Sequence, residues 1–127
     1  MGVDVYGKNP TTKEGEYFQA SWWTWRPIVA MCEQAEGRSL PEWGYNSNAG
    51  YKSQEECDTL ADRLEKMFLE DSTEFFSIED DLRVDKDGCF LPKSAGQSAG
   101  FSAYVASRHR VKQFVKFLRE CGGFTIT

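Results

Sequence analysis

The sequence predicts an α+β fold: a single two-layer domain over residues 1–127, with three helices on a small, mostly antiparallel sheet. Three observations carry this. Alternating apolar segments stand at both ends of the chain, three stretches repeat their apolar residues at helical spacing, and the two kinds of segment do not strictly alternate. A chain of 127 residues with 40% hydrophobic, 28% charged and 14% aromatic residues has the mix of a globular domain and enough bulk for a core. It contains no apolar run of about 18 residues, so no membrane partner is expected. It is also too short for a large multi-part enzyme fold.

Val3-Asp4-Val5-Tyr6 alternates and stops at Gly7, before Asn9-Pro10, which reads as a first strand entering a loop. From Ser21 the period becomes helical. Trp22, Trp25, Val29 and Cys32 share one face of a helix running to about Ala35, and Gly37 closes it. Pro27 leaves two readings open: a helix that tolerates an early proline, or a start at Pro27 with Trp22 to Trp25 as a preceding turn. Residues 37–52 are turn-rich and read as a long loop.

Ser53 and Glu56 form a capping box, and Glu55, Glu56 and Asp58 place negative charge at the positive end of a second helix. Its apolar stripe is Cys57, Leu60, Ala61, Leu64, Met67 and Phe68, with Asp62 and Lys66 expected to pair on the outer face. Asp87-Gly88, between Asp81–Val84 and Cys89–Leu91, is a hairpin signal. A flexible stretch follows over residues 93–100, then a short strand over Phe101 to Val105. Ser107 caps a third helix whose inner face is Val111, Phe114, Val115, Leu118 and Cys121. Gly122-Gly123 ends it, and Phe124 to Thr127 supplies a last strand.

The net charge of −5 divides unevenly, as −1 over residues 1–40, −9 over 41–90 and +5 over 91–127, so the middle and the end of the chain are expected to attract one another, within one chain or across a dimer. The N-terminus has an acid at position 4 and no long apolar core, hence no secretory signal. The four cysteines, Cys32, Cys57, Cys89 and Cys121, are far apart and form no C-x-x-C pair. They read as free thiols of a cytoplasmic protein, with no metal and no cofactor expected.

Apparent catalytic motifs fail on inspection. Gly96-Gln97-Ser98-Ala99-Gly100 matches G-x-S-x-G, but no strand leads into it and no acid lies between Ser98 and His109, the one histidine. Gly44 to Ser53 resembles a phosphate-binding loop with one residue too many between its glycines and Tyr51 separating Gly50 from Lys52. Asp85-Lys86-Asp87-Gly88 lacks the flanking carboxylates of a calcium loop. No catalytic residue is assigned, and the sequence weighs against an enzyme.

Two groups of residues remain as binding candidates. Trp23 lies off the apolar face beside Arg26, and Trp43 and Tyr45 lie beside Asn46 and Asn48, so flat surfaces gather near guanidinium and amide groups. Arg108, Lys112, Lys116 and Arg119 form a basic stripe on the third helix. In a chain of pI near 4.9 it reads as a solvated face, or one that meets acidic surface on the second helix or a partner, and nucleic acid is disfavoured. His109 reads as an exposed surface residue.

The opening Met1-Gly2-Val3-Asp4-Val5-Tyr6-Gly7-x-Asn9-Pro10, then Gly15-Glu16-Tyr17-Phe18 and Trp22-Trp23-x-Trp25-Arg26-Pro27, resembles a group of small phage and bacterial proteins with no assigned activity. The resemblance continues through Tyr45-Asn46, Gly50, Cys57-x-x-Leu60-Ala61 and Phe117 to Phe124, and implies a cytoplasmic accessory protein, phage-linked in context. The leading expectation is a non-catalytic domain that binds another protein or its own copy. The alternative is a small-molecule binder or enzyme using the Trp43–Lys52 loop. A third reading is weak nucleic-acid binding through the basic face of the last helix.

Overall fold

A computed structural model describes residues 2–45, 47–77 and 104–127. The fold is α+β, and the described residues form three α-helices and two small antiparallel sheets. Strand β1 (Gly2–Gly7) pairs on one side with β2 (Tyr17–Ser21) and on the other with β5 (Phe124–Ile126), in the order β2-β1-β5. The two ends of the chain therefore meet in one sheet, with Val5 opposite both Phe18 and Ile126. β3 (Phe75–Ser77) and β4 (Val105–Ser107) form the second sheet. The segment expected to hold the Asp87-Gly88 hairpin, the 93–100 stretch and the Ser98 motif lies outside the described residues. The strand expected to end at Val105 begins there.

Helix α1 spans Trp22–Glu36 and runs through Pro27, which excludes the reading of Trp22 to Trp25 as a separate turn. Proline removes one hydrogen bond toward the carbonyl four residues earlier and strains the turn. The burial of Trp25, Ile28, Val29, Met31 and Cys32 on one side holds the helix together regardless. Gly37 ends it at φ 68, the left-handed conformation that suits glycine.

Helix α2 (Gln54–Leu64) begins at the expected cap, where the Ser53 hydroxyl accepts from the Glu56 amide at 3.3 Å. The reciprocal contact differs. The Glu56 carboxylate takes the Lys52 amide at 3.1 Å and the Ser53 hydroxyl at 3.2 Å, not the Ser53 amide. The last turn, Glu65–Leu69, is π-helical. Its extra residue per turn shifts the face, so Phe68 is buried while Met67, expected on the apolar stripe, is 38% exposed. Asp62 does not take Lys66 as expected. It accepts from Arg119 at 2.9 Å, across the interface with α3 (Arg108–Glu120).

The core brings Trp25, Phe18, Phe114, Phe117 and Phe124 together between the three-stranded sheet and the helices. Each such side chain removed from water contributes about 1.5–3 kcal/mol. The indole N–H of Trp25 donates to the Trp43 carbonyl at 2.7 Å, so the one polar atom of this buried side chain is satisfied.

Candidate functional site

The aromatic residues singled out from the sequence separate into two places. Trp25 is fully buried, and Trp22 packs partly buried against the core. Trp23, one position off that face, is 52% exposed, with its ring 4.9 Å from that of Tyr104 just ahead of β4. The guanidinium of Arg26, three residues further along α1, sits 5.3 Å from the centre of the same Tyr104 ring. Helical spacing puts Trp23 and Arg26 side by side, and the packing of α1 on β4 brings Tyr104 between them. The result is an outward cluster of one Trp, one Tyr and one Arg joined by a tilted ring–ring contact and a cation–π contact.

Trp43 is elsewhere. It lies at 4% exposure, with edge-to-face contacts to Tyr51 and Phe124. The loop around it closes the sheet. The amide of Asn48 donates to the Ile126 carbonyl at 2.9 Å, Ile126 donates back to Ala49 at 2.7 Å, and Phe124 donates to Tyr51 at 2.8 Å. Asn48 takes a left-handed backbone at φ 64, and Gly50 packs against the Phe124 backbone. The backbone of the glycine-rich loop is thus engaged with β5 rather than arranged as a phosphate cradle. Tyr45 is exposed, and Asn46 lies outside the described residues. A cleft of about 480 Å³ borders this loop, with Lys8, Arg38 and Lys52 on its walls beside Trp43 and Asn48.

The basic stripe on α3 is largely engaged within the chain. Arg108 donates to the Leu69 carbonyl at 2.5 Å and the Thr73 carbonyl at 3.2 Å, joining the π-helical turn and the approach to β3 to α3. Arg119 bridges Asp62 and Glu65, and Lys116 pairs with Glu120 at 2.8 Å. Lys112 and His109 are exposed. The acidic middle and basic end of the chain therefore meet directly, at α2 and α3.

Two arrangements went unread in the sequence. Cys57 and Cys121 bring their sulfurs to 3.6 Å inside the core, although 64 residues separate them. The hydrogen bond with Cys121, and then burial, push the Cys57 thiol well above its ordinary pKa. The other is β2, whose alternation of exposed Tyr17 and Gln19 with buried Phe18 and Ala20 is a strand signal four residues long, directly ahead of a tryptophan-rich helix. Among the described residues no cluster of three or more His, Cys, Asp or Glu side chains is placed to hold a metal ion. Among them, too, no helix is long and apolar enough to cross a membrane.

Comparisons of the chain with protein-family models, curated proteins and solved structures return no match.

Proposed function

We propose that this chain is a non-catalytic accessory domain that acts by binding another protein or its own copy, through a surface centred on Trp23. The observation that carries the reading is the exposed Trp23–Tyr104–Arg26 cluster. Trp, Tyr and Arg are the residue types that dominate binding energy at protein interfaces, because each offers a large flat area with a polar handle. A half-exposed Trp on a helix, already held against a Tyr, loses little further conformational freedom when a partner covers it. The resemblance of the opening and tryptophan motifs to small phage and bacterial proteins agrees with an accessory role.

The test compares wild-type protein with Trp23→Ala and with Arg26→Ala, by light scattering over a range of concentration and by capture from a cell lysate with quantitative mass spectrometry. The expected result is a dimer or a captured protein that the wild type retains and both variants lose, at unchanged thermal stability. A monomer with the same captured set for all three chains overturns the reading.

The cleft beside the Trp43–Lys52 loop supports a second reading, a small anionic ligand held by Lys8, Arg38 and Lys52. A thermal-shift screen of nucleotides and metabolites on wild type and Arg38→Ala tests it, and a shift common to both chains counts against it. Nucleic-acid binding draws less support, since Arg108 and Arg119 are already committed to carbonyls and carboxylates.

A further inference from the structure

The three-stranded sheet has two outer edges, and the chain treats them differently. The β5 edge is closed by residues 48–51 through backbone hydrogen bonds. Among the described residues the β2 edge has no such cover. Asp4 exchanges both of its backbone bonds with Thr127 on the β5 side. The alternation of an antiparallel ladder then turns Val3 and Val5 toward Ala20 and Phe18. Tyr17, Gln19 and Ser21 consequently direct their N–H groups away from the sheet, and none of these three backbone N–H groups has a hydrogen-bond partner among the described residues.

This edge forms one wall of a trough of about 580 Å³, and the flank of α3 carrying Arg110, Gln113 and Lys116 forms the other. The buried rings of Phe18 and Phe117 line the trough between the walls. Arg110 crosses the trough. Its guanidinium donates to the Gln19 carbonyl and to Gln113 Oε1, and lies 4.6 Å above the centre of the Phe18 ring. Lys116 has the Glu120 carboxylate. Arg110, half-buried, has only neutral acceptors among the described residues, and burial draws its pKa below the usual arginine value.

We propose that this trough takes an extended peptide segment that adds to β2 as a fourth strand and sets an acidic side chain against Arg110. An open edge beside a helix offers main-chain hydrogen bonds for affinity and alternate side-chain positions for specificity. The five residues of β2 span about 17 Å, so the segment is four or five residues long. On the face turned toward α3, an apolar side chain meets Phe18 and Phe117, and a carboxylate two residues away meets Arg110. The guanidinium then exchanges the Gln19 carbonyl for a charged partner, and that carbonyl accepts an N–H from the incoming strand. This surface is distinct from the Trp23 cluster. Amide protection on β2 reads the one and loss of a partner in Trp23→Ala reads the other, so the two proposals fail separately.

The experiment titrates the isotopically labelled full chain with two end-blocked heptapeptides, one alternating Val with Glu and one alternating Val with Lys, followed by amide NMR and hydrogen exchange. The expected result is protection of the Tyr17 and Gln19 amides by the Glu peptide, at least tenfold tighter binding than the Lys peptide, and loss of that preference in Arg110→Ala. Gln19→Pro, which removes one outward N–H at an edge position that tolerates proline, is expected to weaken the Glu peptide at least tenfold with the rest of the spectrum unchanged. Three outcomes overturn the proposal: no binding of either peptide up to millimolar concentration, protection of the same amides by concentration-dependent self-association, or tighter binding of both peptides to Arg110→Ala. The last would make Arg110 a guard that keeps the edge closed. Should Arg110→Ala fail to fold, Arg110→Gln with Gln19→Pro carries the same comparison.

Discussion

Trp23 and Trp25 are two residues apart on one helix, and their difference in environment fixes what each substitution does. Trp25 has its whole side chain in the core and its indole N–H bonded to Trp43, whereas Trp23 keeps half its surface in water. Trp23→Ala is expected to change stability by no more than about 0.5 kcal/mol in urea denaturation. Phe114→Ala, which empties a site shared with Phe18, Trp25, Phe117 and Phe124, is expected to cost about 3–5 kcal/mol. A loss below about 1 kcal/mol at Phe114 would contradict the core described above. The cysteines give a second residue-level prediction. Cys32, Cys57 and Cys121 are buried, and burial holds the Cys32 thiol protonated well above its ordinary pKa. Peptide mapping after iodoacetamide treatment at pH 8 should find these three unmodified in folded protein and modified in guanidinium. Rapid labelling of Cys57 in the folded chain would contradict it.

Helix α2 shows most plainly how local sequence and packing divide the work between them. Its start is legible because a cap is a local device: Ser53 and Glu56 need only each other and the neighbouring amides. Ser53→Ala should cost about 1 kcal/mol by chemical denaturation, with Ser53→Asp restoring most of it. Its end is not legible, because the π-helical turn adds a residue that no apolar period announces, and it turns Met67 outward in place of the stripe's continuation. Gly15 is a similar case. A side chain there would meet the Glu120 carbonyl and the Cys121 amide at the end of α3, a contact between segments about 105 residues apart that the sequence does not display. Gly15→Ala is expected to destabilise by about 1–3 kcal/mol or more, read as a lowered urea midpoint. An unchanged midpoint would mean that the close approach is not maintained in solution.

Across the whole molecule the long-range polar contacts tie the chain's middle and end together, and two of its tyrosines make the fold sensitive to alkali. Tyr17 donates to Asp4 at 2.5 Å, and that hydrogen bond first of all pushes its hydroxyl up to about 12. Burial, then the hydrogen bond with Glu36, raises Tyr51 as well. Both folded values lie above the unfolded value near 10, so the folded chain keeps protons that the unfolded chain releases. The stabilisation is complete below about pH 10 and falls away as pH rises toward 12 and beyond. Wild type should therefore lose urea resistance over that range more steeply than a Tyr17→Phe, Tyr51→Phe double variant, and equal slopes would contradict the assignment. By itself the sequence determined the α+β class, the three helices with their caps at Ser53 and Ser107, and the terminal strands, because periodicity, capping and glycine signals act within a few residues. Only the tertiary structure decided that Trp43 goes inside while Trp23 stays out with Tyr104 and Arg26. It also decided that Arg119 meets Asp62 and Glu65, that Cys57 reaches Cys121, and that β2 is an edge strand uncovered by the described residues. Each of these depends on which surfaces distant segments bury against one another, and no local pattern encodes that choice.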